Sequence, residues 1–388
     1  MDVISNNFTL LQVVPELETG GAEQTTLDVA AAVARAGGRS LVASRGGRMT
    51  GRLEAGGGRL LPMPMNSKNP AVIADNARRL VRIIRDEKVS LVHARSRAPA
   101  ISALWAARAT GTAFVTTYHG VYNARSVLKR WYNSVMTRGD IVIANSAYTH
   151  DQILAKYAVD PARLVTIPRG VDLVRFDPDA VAAARVEALR QAWGIDPADA
   201  RKKFLLGGRL TRWKGQGLLI EAAARLHASG ESGFLILLAG DDQGRTGFRQ
   251  ELEAMVRKAG LRDHVRLVGH CDDMPAAYRL ADFACAPSVD PEPFGRTAVE
   301  PQAMSRPVLA ADHGAARETV IPGQTGWLVA PGEPEAWSAA LQAAIDTTPE
   351  RAAEMGALGQ ARVRALYSVD AMCEATLDVY RRVLEARR

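Results

Sequence analysis

One strand-to-helix turn organises this sequence: Ser288-Val-Asp-Pro-Glu-Pro-Phe-Gly-Arg-Thr-Ala-Val-Glu-Pro-Gln-Ala-Met304. Residues 281–286, just before it, form an apolar run typical of a buried strand, and 296–304 alternate apolar and polar residues at helical spacing. Gly295 lets the backbone approach a ligand closely, and the unpaired amides that open a helix bind phosphate. The stretch therefore predicts a phosphate site where the strand passes into the helix.

Two carboxylates flank this predicted phosphate site. Glu292 lies in the turn, and Glu300 lies eight positions later in the helix. A sugar nucleotide presents hydroxyls on both sides of a diphosphate, so one carboxylate could bind the sugar and the other the ribose. Glutamates at this spacing also occur on solvated helix faces, and the pattern alone leaves both interpretations open.

A second loop carries cations that suit a diphosphate. Gly208-Arg-Leu-Thr-Arg-Trp-Lys-Gly215 follows a predicted strand, 204–208, and precedes a predicted helix. Arg209 can bind a diphosphate with two parallel hydrogen bonds, and Lys214 supplies a compact charge. Arg212 is an additional cation. Isolated loop cations are usually only solvated, so this spacing gives modest support by itself.

The amino-terminal half has a glycine pair and a histidine at two further strand ends. Gly20 and Gly21 precede the predicted helix 25–36, where backbone amides can approach a phosphate or a sugar. His119 follows the predicted strand 113–117. A lone loop histidine is more often satisfied by backbone hydrogen bonds. We assign such a structural role to His93, at another strand end.

Strands alternate with helices along the chain, which predicts an α/β fold with parallel, doubly wound sheets. A chain of 388 residues is too long for one ordinary core, so two domains are expected. We place the first at 1–172 and the second at 204–367, with a linker at 173–203 and a return helix within 368–388. Ligands of such sheets bind at the carboxyl ends of the strands.

Composition narrows the class of protein. Apolar residues make up 47% and charged residues 23% of the sequence, values ordinary for a soluble globular protein. No apolar run approaches the roughly 18 residues of a membrane span, and the amino terminus lacks the pattern of a secretory signal. Three cysteines without metal-ligand spacing are expected to be reduced thiols in a cytosol: Cys271, Cys285 and Cys373.

Charge is unevenly distributed along the sequence. Residues 1–170 hold 22 Lys and Arg against 12 Asp and Glu, whereas the remainder is slightly acidic. This asymmetry suggests that one domain contacts a polyanion or an anionic membrane, and an arginine-rich proteome is an equal alternative. A nucleic-acid partner is not expected, because aromatic residues are only 6% of the sequence and do not interleave with the cations.

A predicted helix at 122–138 is the candidate membrane contact. Its apolar stripe at helical spacing is expected to pack on the sheet and consists of Leu128, Trp131, Tyr132 and Val135. Three cations lie off the stripe, namely Arg125, Lys129 and Arg130. These cations are either solvated or in contact with anionic lipid headgroups or an anionic acceptor.

Together these motifs resemble the retaining glycosyltransferases of family 4, which have two Rossmann-like domains and an interdomain cleft, the GT-B fold. The pair Glu292 and Glu300 matches the family's Glu-x7-Glu motif, and residues 208–215 match Gly-Arg-Leu-x-x-x-Lys-Gly. The loops Gly-Gly-Ala-Glu at 20–23 and Thr-x-His-Gly at 117–120 also match. The resemblance covers nearly the whole chain. It departs at three positions, with Arg169 in place of the usual Asn, Asp242 in place of Gly and Pro301 in place of a frequent Ala.

The resemblance implies a role for each matching residue. Glu292 and His119 would contact the donor sugar near the reaction centre, and Glu300 would accept hydrogen bonds from the ribose. The donor diphosphate and sugar would be held by the glycine pair, the loop cations and the amides of the turn: Gly20, Gly21, Arg209, Lys214, Phe294, Gly295, Arg296 and Thr297. The turn with His270 and Met274 would face the nucleotide base, with core packing the alternative for Met274.

The implied activity is that of a retaining, metal-independent hexosyltransferase. It would move a sugar from a nucleoside-diphosphate sugar to a saccharide or lipid-linked acceptor in the synthesis of lipopolysaccharide or another cell-envelope polysaccharide. No cofactor is expected, and no Asp-x-Asp motif stands in a suitable loop. The implied location is cytoplasmic, with peripheral association at the cytoplasmic face of the inner membrane. A sugar-nucleotide epimerase of the same fold, which needs no acceptor, is the alternative.

Overall fold

The computed structural model describes residues 7–18, 20–120, 122, 126–242, 244 and 246–387. Its strands, in chain order, are β1 (Thr9–Val13), β2 (Arg39–Ser44), β3 (Gly58–Pro62), β4 (Leu91–Ala94), β5 (Ala113–Tyr118), β6 (Ile141–Ala144), β7 (Leu164–Thr166), β8 (Lys202–Gly207), β9 (Phe234–Ala239), β10 (Val265–Gly269), β11 (Phe283–Ala286), β12 (Val308–Ala311) and β13 (Gly326–Val329).

The α-helices connect these strands and complete the chain. In order they are α1 (Gly21–Arg35), α2 (Thr50–Ala55), α3 (Pro70–Asp86), α4 (Arg97–Thr110), α5 (Val127–Asn133), α6 (Ala147–Lys156), α7 (Ala183–Ala192), α8 (Gln216–Ala228), α9 (Thr246–Lys258), α10 (Met274–Leu280), α11 (Arg296–Ala303), α12 (Ala316–Thr319), α13 (Pro334–Ile345), α14 (Pro349–Leu366) and α15 (Val369–Glu385).

The chain divides into two compact units. Unit 1 comprises Met1–Gly170 and Val369–Arg388, and unit 2 comprises Val171–Ser368. The sheet of unit 1 has the strand order β3-β2-β1-β4-β5-β6-β7, and that of unit 2 has the order β10-β9-β8-β11-β12-β13. All described pairings between these strands are parallel. The predicted α/β fold with two doubly wound parallel sheets is therefore confirmed.

Each sheet reverses its strand order at one point. The reversal lies between β1 and β4 in unit 1 and between β8 and β11 in unit 2. Loops that leave the carboxyl ends of two such strands diverge and leave a crevice, which is where ligands of open α/β sheets bind. The strands can form this core because most of their residues are apolar: Phe234–Ala239, for example, is apolar and buried at every position.

The last helix belongs to unit 1. The phenol of Tyr380 in α15 lies 2.6 Å from Nδ1 of His93, and Nε2 of that histidine lies 2.7 Å from the hydroxyl of Thr117. His93 and Tyr380 are fully buried. Both nitrogens of the His93 ring are thus satisfied by protein groups, and His93 joins α15 to the sheet.

The segment 173–203 is part of unit 2. It contains α7, and the side chains of Phe176, Trp193 and Ile195 are buried in the apolar core of that unit. Strand β8 begins at Lys202, two residues before its predicted start. These apolar side chains attach the segment to the unit that follows it.

The predicted helix 122–138 is shorter and packs differently. Helix α5 ends at Asn133 and continues as a 3₁₀ turn, Ser134–Thr137. Val135 is buried, but Leu128 is 74% and Trp131 is 62% exposed, so the prediction that the stripe packs on the sheet is wrong for those two residues. The 3₁₀ turn, which holds Val135, packs against α4 and β5, whereas α5 itself leaves Leu128 and Trp131 exposed.

Candidate functional site

Two predicted loops of unit 2 meet at the strand reversal. The loop 208–215 follows β8, and the turn that precedes α11 follows β11, the neighbouring strand. A β-carbon built on Gly208 would lie 3.7 Å from Cγ2 of Thr297 and 3.8 Å from Cε of Lys214. Residues far apart in sequence thus come together at one edge of the sheet.

The centre of this cluster is an ion pair. Nζ of Lys214 lies 2.8 Å from Oε1 of Glu292, and the two side chains are only 12% and 14% exposed. The same carboxylate oxygen accepts a hydrogen bond from the hydroxyl of Ser288 and lies 3.4 Å from the hydroxyl of Thr297. Lys214 also lies over the ring of Trp213, 4.5 Å from its centroid. The structure therefore joins the predicted diphosphate cation to the predicted sugar-binding carboxylate.

Neighbouring groups fix the position of Glu292. The amide of Ala315 donates to the carbonyl of Glu292 at 3.0 Å, and Nε2 of His313 lies 2.7 Å from the carbonyl of Ser288. Ser288 is 3% exposed. The sequence patterns assigned no role to Ser288 or His313. Both residues lie two positions beyond the end of a strand, Ser288 after β11 and His313 after β12, and that position could have identified them.

Helix α11 begins with open backbone amides. Gly295 precedes it with a φ of 79°, in the left-handed region that favours glycine, and no side chain caps the helix. The first-turn amides of a helix lack intrahelical partners, so this end can bind an anion. The side chain of Phe294 is buried, with its ring centroid 5.8 Å from that of Tyr367, so only its backbone can serve a ligand.

A second ion pair lies within α11. Nε of Arg296 donates to Oε1 of Glu300 at 2.7 Å, and the side chain of Glu300 is 10% exposed. The carboxylate predicted to bind ribose is therefore already oriented by a cation that had been assigned only a backbone role. Pro301 follows it inside the helix, which continues to Ala303.

The other loop cations differ in their surroundings. The side chain of Arg209 is exposed beyond β8 and forms no hydrogen bond or ion pair within the described part of the chain. Arg212 instead binds Glu251, with Nη2 and Oε2 2.6 Å apart. The side chain of Arg209 is thus available to a ligand, whereas that of Arg212 is paired with Glu251.

Unit 1 brings together three of its residues at its own strand ends. Nη2 of Arg169 lies 3.0 Å from Nδ1 of His119 and 3.1 Å from the carbonyl oxygen of His119. A β-carbon on Gly21 would clash with Nη1 of Arg169, so any side chain at this position would displace the guanidinium. Gly20 precedes it at the start of α1, which no side chain caps. Arg169, the departure from the family motif, therefore contacts both loops that the motifs identified.

This arrangement determines the state of His119. A guanidinium can only donate, so Nδ1 of His119 accepts and its proton resides on Nε2. Nε2 is buried and has no hydrogen-bond partner among the residues that the structure describes. Burial, and then the charge of Arg169, holds the pKa of His119 well below its usual value. His119 is therefore a neutral imidazole with an unused donor.

A buried cation in unit 1 was missed. Arg95 follows β4 directly and is 2% exposed, and its Nε donates to Oε1 of Gln12 at 2.6 Å. Its Nη2 has no partner within the described chain. Burial lowers the pKa of Arg95. The rule that ligands bind at carboxyl ends of strands would have pointed to this residue, because β4 flanks the strand reversal.

The remaining predicted residues are His270, Met274 and the three cations of the predicted helix 122–138. His270 is exposed, with Nε2 2.9 Å from a carboxylate oxygen of Asp272. Met274 packs against the core of unit 2, and its Cε would clash with a β-carbon on Gly207, the last residue of β8. Lys129 and Arg130 are exposed on α5, and Arg125 lies outside the described residues. Within the described ranges no group of three or more His, Cys, Asp or Glu residues is placed to hold a metal ion.

Family models match both halves of the chain. Residues 19–175 match the model described as Glycosyltransferase Family 4, and residues 188–362 match the model described as Glycosyl transferases group 1. Together they include all the motif loops of the two units.

One similar curated protein is the D-inositol 3-phosphate glycosyltransferase of Kineococcus radiotolerans. The two sequences are 34% identical over 267 residues, which is 65% of this chain and 59% of that protein. The chain therefore spans less than two thirds of the length of this relative.

Two solved structures are similar over nearly their whole length. A glycosyltransferase from Rickettsia africae is 32% identical, with a TM-score of 0.90 over 97% of this chain and 98% of that one. HepE of Anabaena, in complex with UDP and glucose, is 22% identical, with a TM-score of 0.82 over 96% of this chain and 99% of that one. The likeness to HepE concerns the fold alone.

Proposed function

This chain belongs to the family 4 glycosyltransferases of the GT-B fold, and we propose that it transfers a sugar from a nucleoside-diphosphate sugar to an acceptor hydroxyl. The transfer retains the anomeric configuration and requires no metal. The observation that carries this proposal is the Lys214–Glu292 pair beside the opening of α11. It provides a cation, a carboxylate and open amides at one strand reversal, the combination that a sugar diphosphate needs.

The leaving diphosphate is stabilised by charges already in place. Arg209 and Lys214 bind its oxygens, and the amides that follow Gly295 bind the distal phosphate. These groups act where negative charge grows as the bond between the anomeric carbon and the phosphate oxygen breaks. These protein groups thus stabilise the charge of the leaving diphosphate, a role that a divalent cation has in metal-dependent enzymes.

The acceptor attacks on the face that the diphosphate leaves. The acceptor oxygen forms a bond to the anomeric carbon, the bond to the phosphate oxygen breaks, and the acceptor proton passes to that departing oxygen. Glu292 holds the sugar beside the reacting carbon, and binding of the diphosphate draws Lys214 from the carboxylate towards phosphate. Glu300 accepts hydrogen bonds from the ribose hydroxyls while its carboxylate also contacts Arg296.

His119 supplies a neutral donor to the sugar. Its Nε2–H has no partner within the described residues, and Arg169 keeps the opposite nitrogen an acceptor. A neutral ring at this position donates without adding a positive charge beside the cationic character that develops at the anomeric carbon. Arg169 is in this scheme a positioning residue.

The acceptor is proposed to be a saccharide or a lipid-linked sugar of the cell envelope, used at the cytoplasmic face of the inner membrane. The basic balance of residues 1–170 supports an anionic acceptor or an anionic surface. The UDP in the HepE structure makes UDP-sugars the first donors to test.

Donor binding and transfer can be tested in sequence. UDP-, GDP- and ADP-sugars are screened for an increase in melting temperature, since a ligand that binds only the folded state stabilises it. The best donor is then incubated with lipid-linked and lipopolysaccharide-type acceptors, with and without EDTA, and the product anomer is assigned by NMR. An α-linked product from an α-configured donor, formed equally in EDTA, is expected. An inverted product, dependence on metal, or epimerisation of the donor without acceptor would overturn the proposal.

A further inference from the structure

Three polar residues directly follow neighbouring strands of the sheet in unit 1. Arg95 follows β4, His119 follows β5 and Asn145 follows β6, and the three strands are adjacent in that order. Tyr118 pairs with Ala144 in the register of β5 and β6, so His119 and Asn145 leave the sheet side by side. We refer to Arg95, His119 and Asn145 as the strand-end row.

The strand-end row lies on one face of the sheet. Ala94 pairs with Thr116, so Arg95 is level with Thr117 on the neighbouring strand. Alternate residues of a strand share a face, so Thr117 and His119 point to the same side, and the other members of the row point there with them. The three side chains of the row therefore face a common region at the carboxyl edge of the sheet.

The row contains buried polar atoms that lack hydrogen-bond partners. Arg95 is 2% and Asn145 is 1% exposed. Nη2 of Arg95, Nε2 of His119 and both polar side-chain atoms of Asn145 have no partner among the described residues. Buried polar groups in native proteins are nearly always paired, so several unpaired groups at one place indicate a bound ligand or solvent.

The row also holds a buried charge without a counter-ion. The side chain of Arg95 donates one hydrogen bond within the described chain, to the neutral amide of Gln12. Asp28 influences Arg95 by its charge but forms no ion pair with it, and the charge of Arg95 also acts on the ring of His119. A guanidinium stays charged when it is buried, and an unpaired buried charge is costly. An anion bound beside Arg95 would remove that cost.

The unpaired atoms define the chemistry of a fitting ligand. Arg95 and His119 each present one donor, and Asn145 presents a donor and an acceptor. Donors that converge beside a cation suit an oxyanion, and the acceptor of Asn145 suits a hydroxyl of the same molecule. A carboxylate carries the single negative charge that balances Arg95, whereas a phosphate ester carries nearly two at neutral pH. A hydroxylated molecule with a carboxylate is a sugar acid.

We propose that the strand-end row binds the carboxylate of an acidic sugar, such as a uronic acid, in either the donor or the acceptor. Nη2 of Arg95 and Nδ2 of Asn145 bind the carboxylate oxygens, and Oδ1 of Asn145 accepts from a neighbouring hydroxyl. Arg95 and Asn145 thus determine the specificity for an acidic over a neutral sugar. This inference rests on the proposed function, because the acidic sugar is one of the two substrates of the transfer.

Binding measurements on the full chain separate the two sources of the carboxylate. In one arm, dissociation constants of UDP-glucuronate and UDP-galacturonate are compared with those of UDP-glucose and UDP-galactose. In the other, methyl uronosides are compared with the methyl glycosides of the neutral sugars. The acid is expected to bind at least about tenfold more tightly than its neutral counterpart in one arm, because hydrogen bonds to a charged group are strong. That arm identifies the substrate that carries the carboxylate.

Variants of the row test whether it causes the preference. Arg95→Met and Asn145→Leu keep the size of the side chain, and each is expected to lower the ratio of the two affinities about tenfold, with part of it retained in Arg95→Lys. Damage to the structure alone would weaken both sugars equally and leave the ratio unchanged. Arg362→Met and Asn76→Leu, which also alter side chains with an unpaired buried atom, should change the ratio less than about twofold.

Three outcomes would overturn the inference. The first is equal affinity for acidic and neutral sugars in both arms, and the second is a preference that survives Arg95→Met and Asn145→Leu. The third is binding of chloride or inorganic phosphate that Arg95→Met abolishes, without any preference for the acidic sugars, which would assign the row to a small anion. Melting temperatures show whether each variant remains folded.

The inference and the proposed function can fail separately. Transfer of neutral sugars by a protein without preference for the acids would refute the role of the row and leave the proposed function intact. A preference that depends on Arg95, in a protein that transfers no sugar, would support the carboxylate site and refute the proposed function.

Discussion

Each unit carries a cation beyond the carboxyl end of a strand, Lys214 after β8 and Arg169 after β7, but the two cations contact different partners. In unit 2, Lys214 contacts the carboxylate of Glu292, and the two charges cancel. In unit 1, Arg169 contacts the imidazole of His119, which is neutral, so this contact joins a cation to an uncharged group. Both contacts are formed without a ligand.

This difference shows that a cationic side chain can have two roles, depending on the group it contacts. A cation paired with a carboxylate forms a pair with no net charge, and its side chain can change partner when a phosphate binds. A cation paired with an imidazole instead fixes a tautomer and keeps the ring from accepting a proton. Substitutions in the two pairs should therefore fail in different ways.

The largest effect is expected from the pair in unit 2. Lys214→Ala and Glu292→Ala should each lower turnover by about 10²- to 10³-fold, because each removes a group that acts on developing charge. The turnover of the double variant should be much higher than the summed effects of the two single variants predict, since residues in contact are energetically coupled. Rates are measured for all four proteins of the cycle at saturating donor. Strict additivity would show that the 2.8 Å contact has no role in catalysis.

A smaller effect is expected from Glu300→Gln. The amide keeps the shape but loses the charge that accepts from ribose hydroxyls and from Arg296, so the donor KM should rise about tenfold with little change in kcat. Initial rates across donor concentrations separate the two constants. A loss confined to kcat would place Glu300 at the reaction centre instead.

The pair in unit 1 should respond to pH. Arg169→Asn removes one charge that lowers the pKa of His119, so that pKa rises, while burial, the larger cause, still holds it below its ordinary value. As the pH is lowered, the variant should therefore begin to lose activity at a higher pH than the wild type does.

The stability of the variant should move in the opposite direction. Because the pKa of His119 is lower in the folded wild type than in the unfolded chain, the unfolded state binds more protons as the pH falls below about 6.5, and stability is lost. Arg169→Asn should lessen that loss. Imidazole ¹⁵N shifts of His119 and melting curves across pH provide the measurements. Parallel pH profiles of wild type and variant, with unchanged ¹⁵N shifts, would mean that Arg169 is only structural.

The smallest effect is expected from Arg212→Ala. Its pair with Glu251 is exposed, with 73% of the arginine and 41% of the glutamate side chain accessible, and exposed ion pairs contribute little to stability. Activity should stay within about twofold of the wild type. This variant is the matched control for Lys214→Ala, two positions away in the same turn. A large loss would show that the ligand recruits Arg212 from Glu251.

Much of the fold could be predicted from local pattern. Apolar runs alternated with segments of helical periodicity, and this alternation predicted parallel sheets. The loops that follow β8 and β11 were identified from their glycines, cations and carboxylates. Those patterns are local because a strand or a helix is encoded over a few consecutive residues. The roles assigned to the site residues remain predictions.

Contacts between distant residues could not be predicted in the same way. Lys214 and Glu292 are 78 positions apart, and their contact exists only because β8 and β11 are neighbours in the sheet. The apolar stripe of the predicted helix 122–138 was expected to be buried, but the structure leaves Leu128 and Trp131 exposed. Periodicity shows that a face is apolar but not what covers it.

The sequence by itself therefore determined the class of fold, the order of its elements and the chemistry available at the strand ends, since these depend on nearest neighbours along the chain. The tertiary structure alone decided which charges are neutralised, which tautomer His119 adopts, and which apolar residues stay in water. Electrostatic and packing energies depend on distances in space, and the folding of the sheets sets those distances.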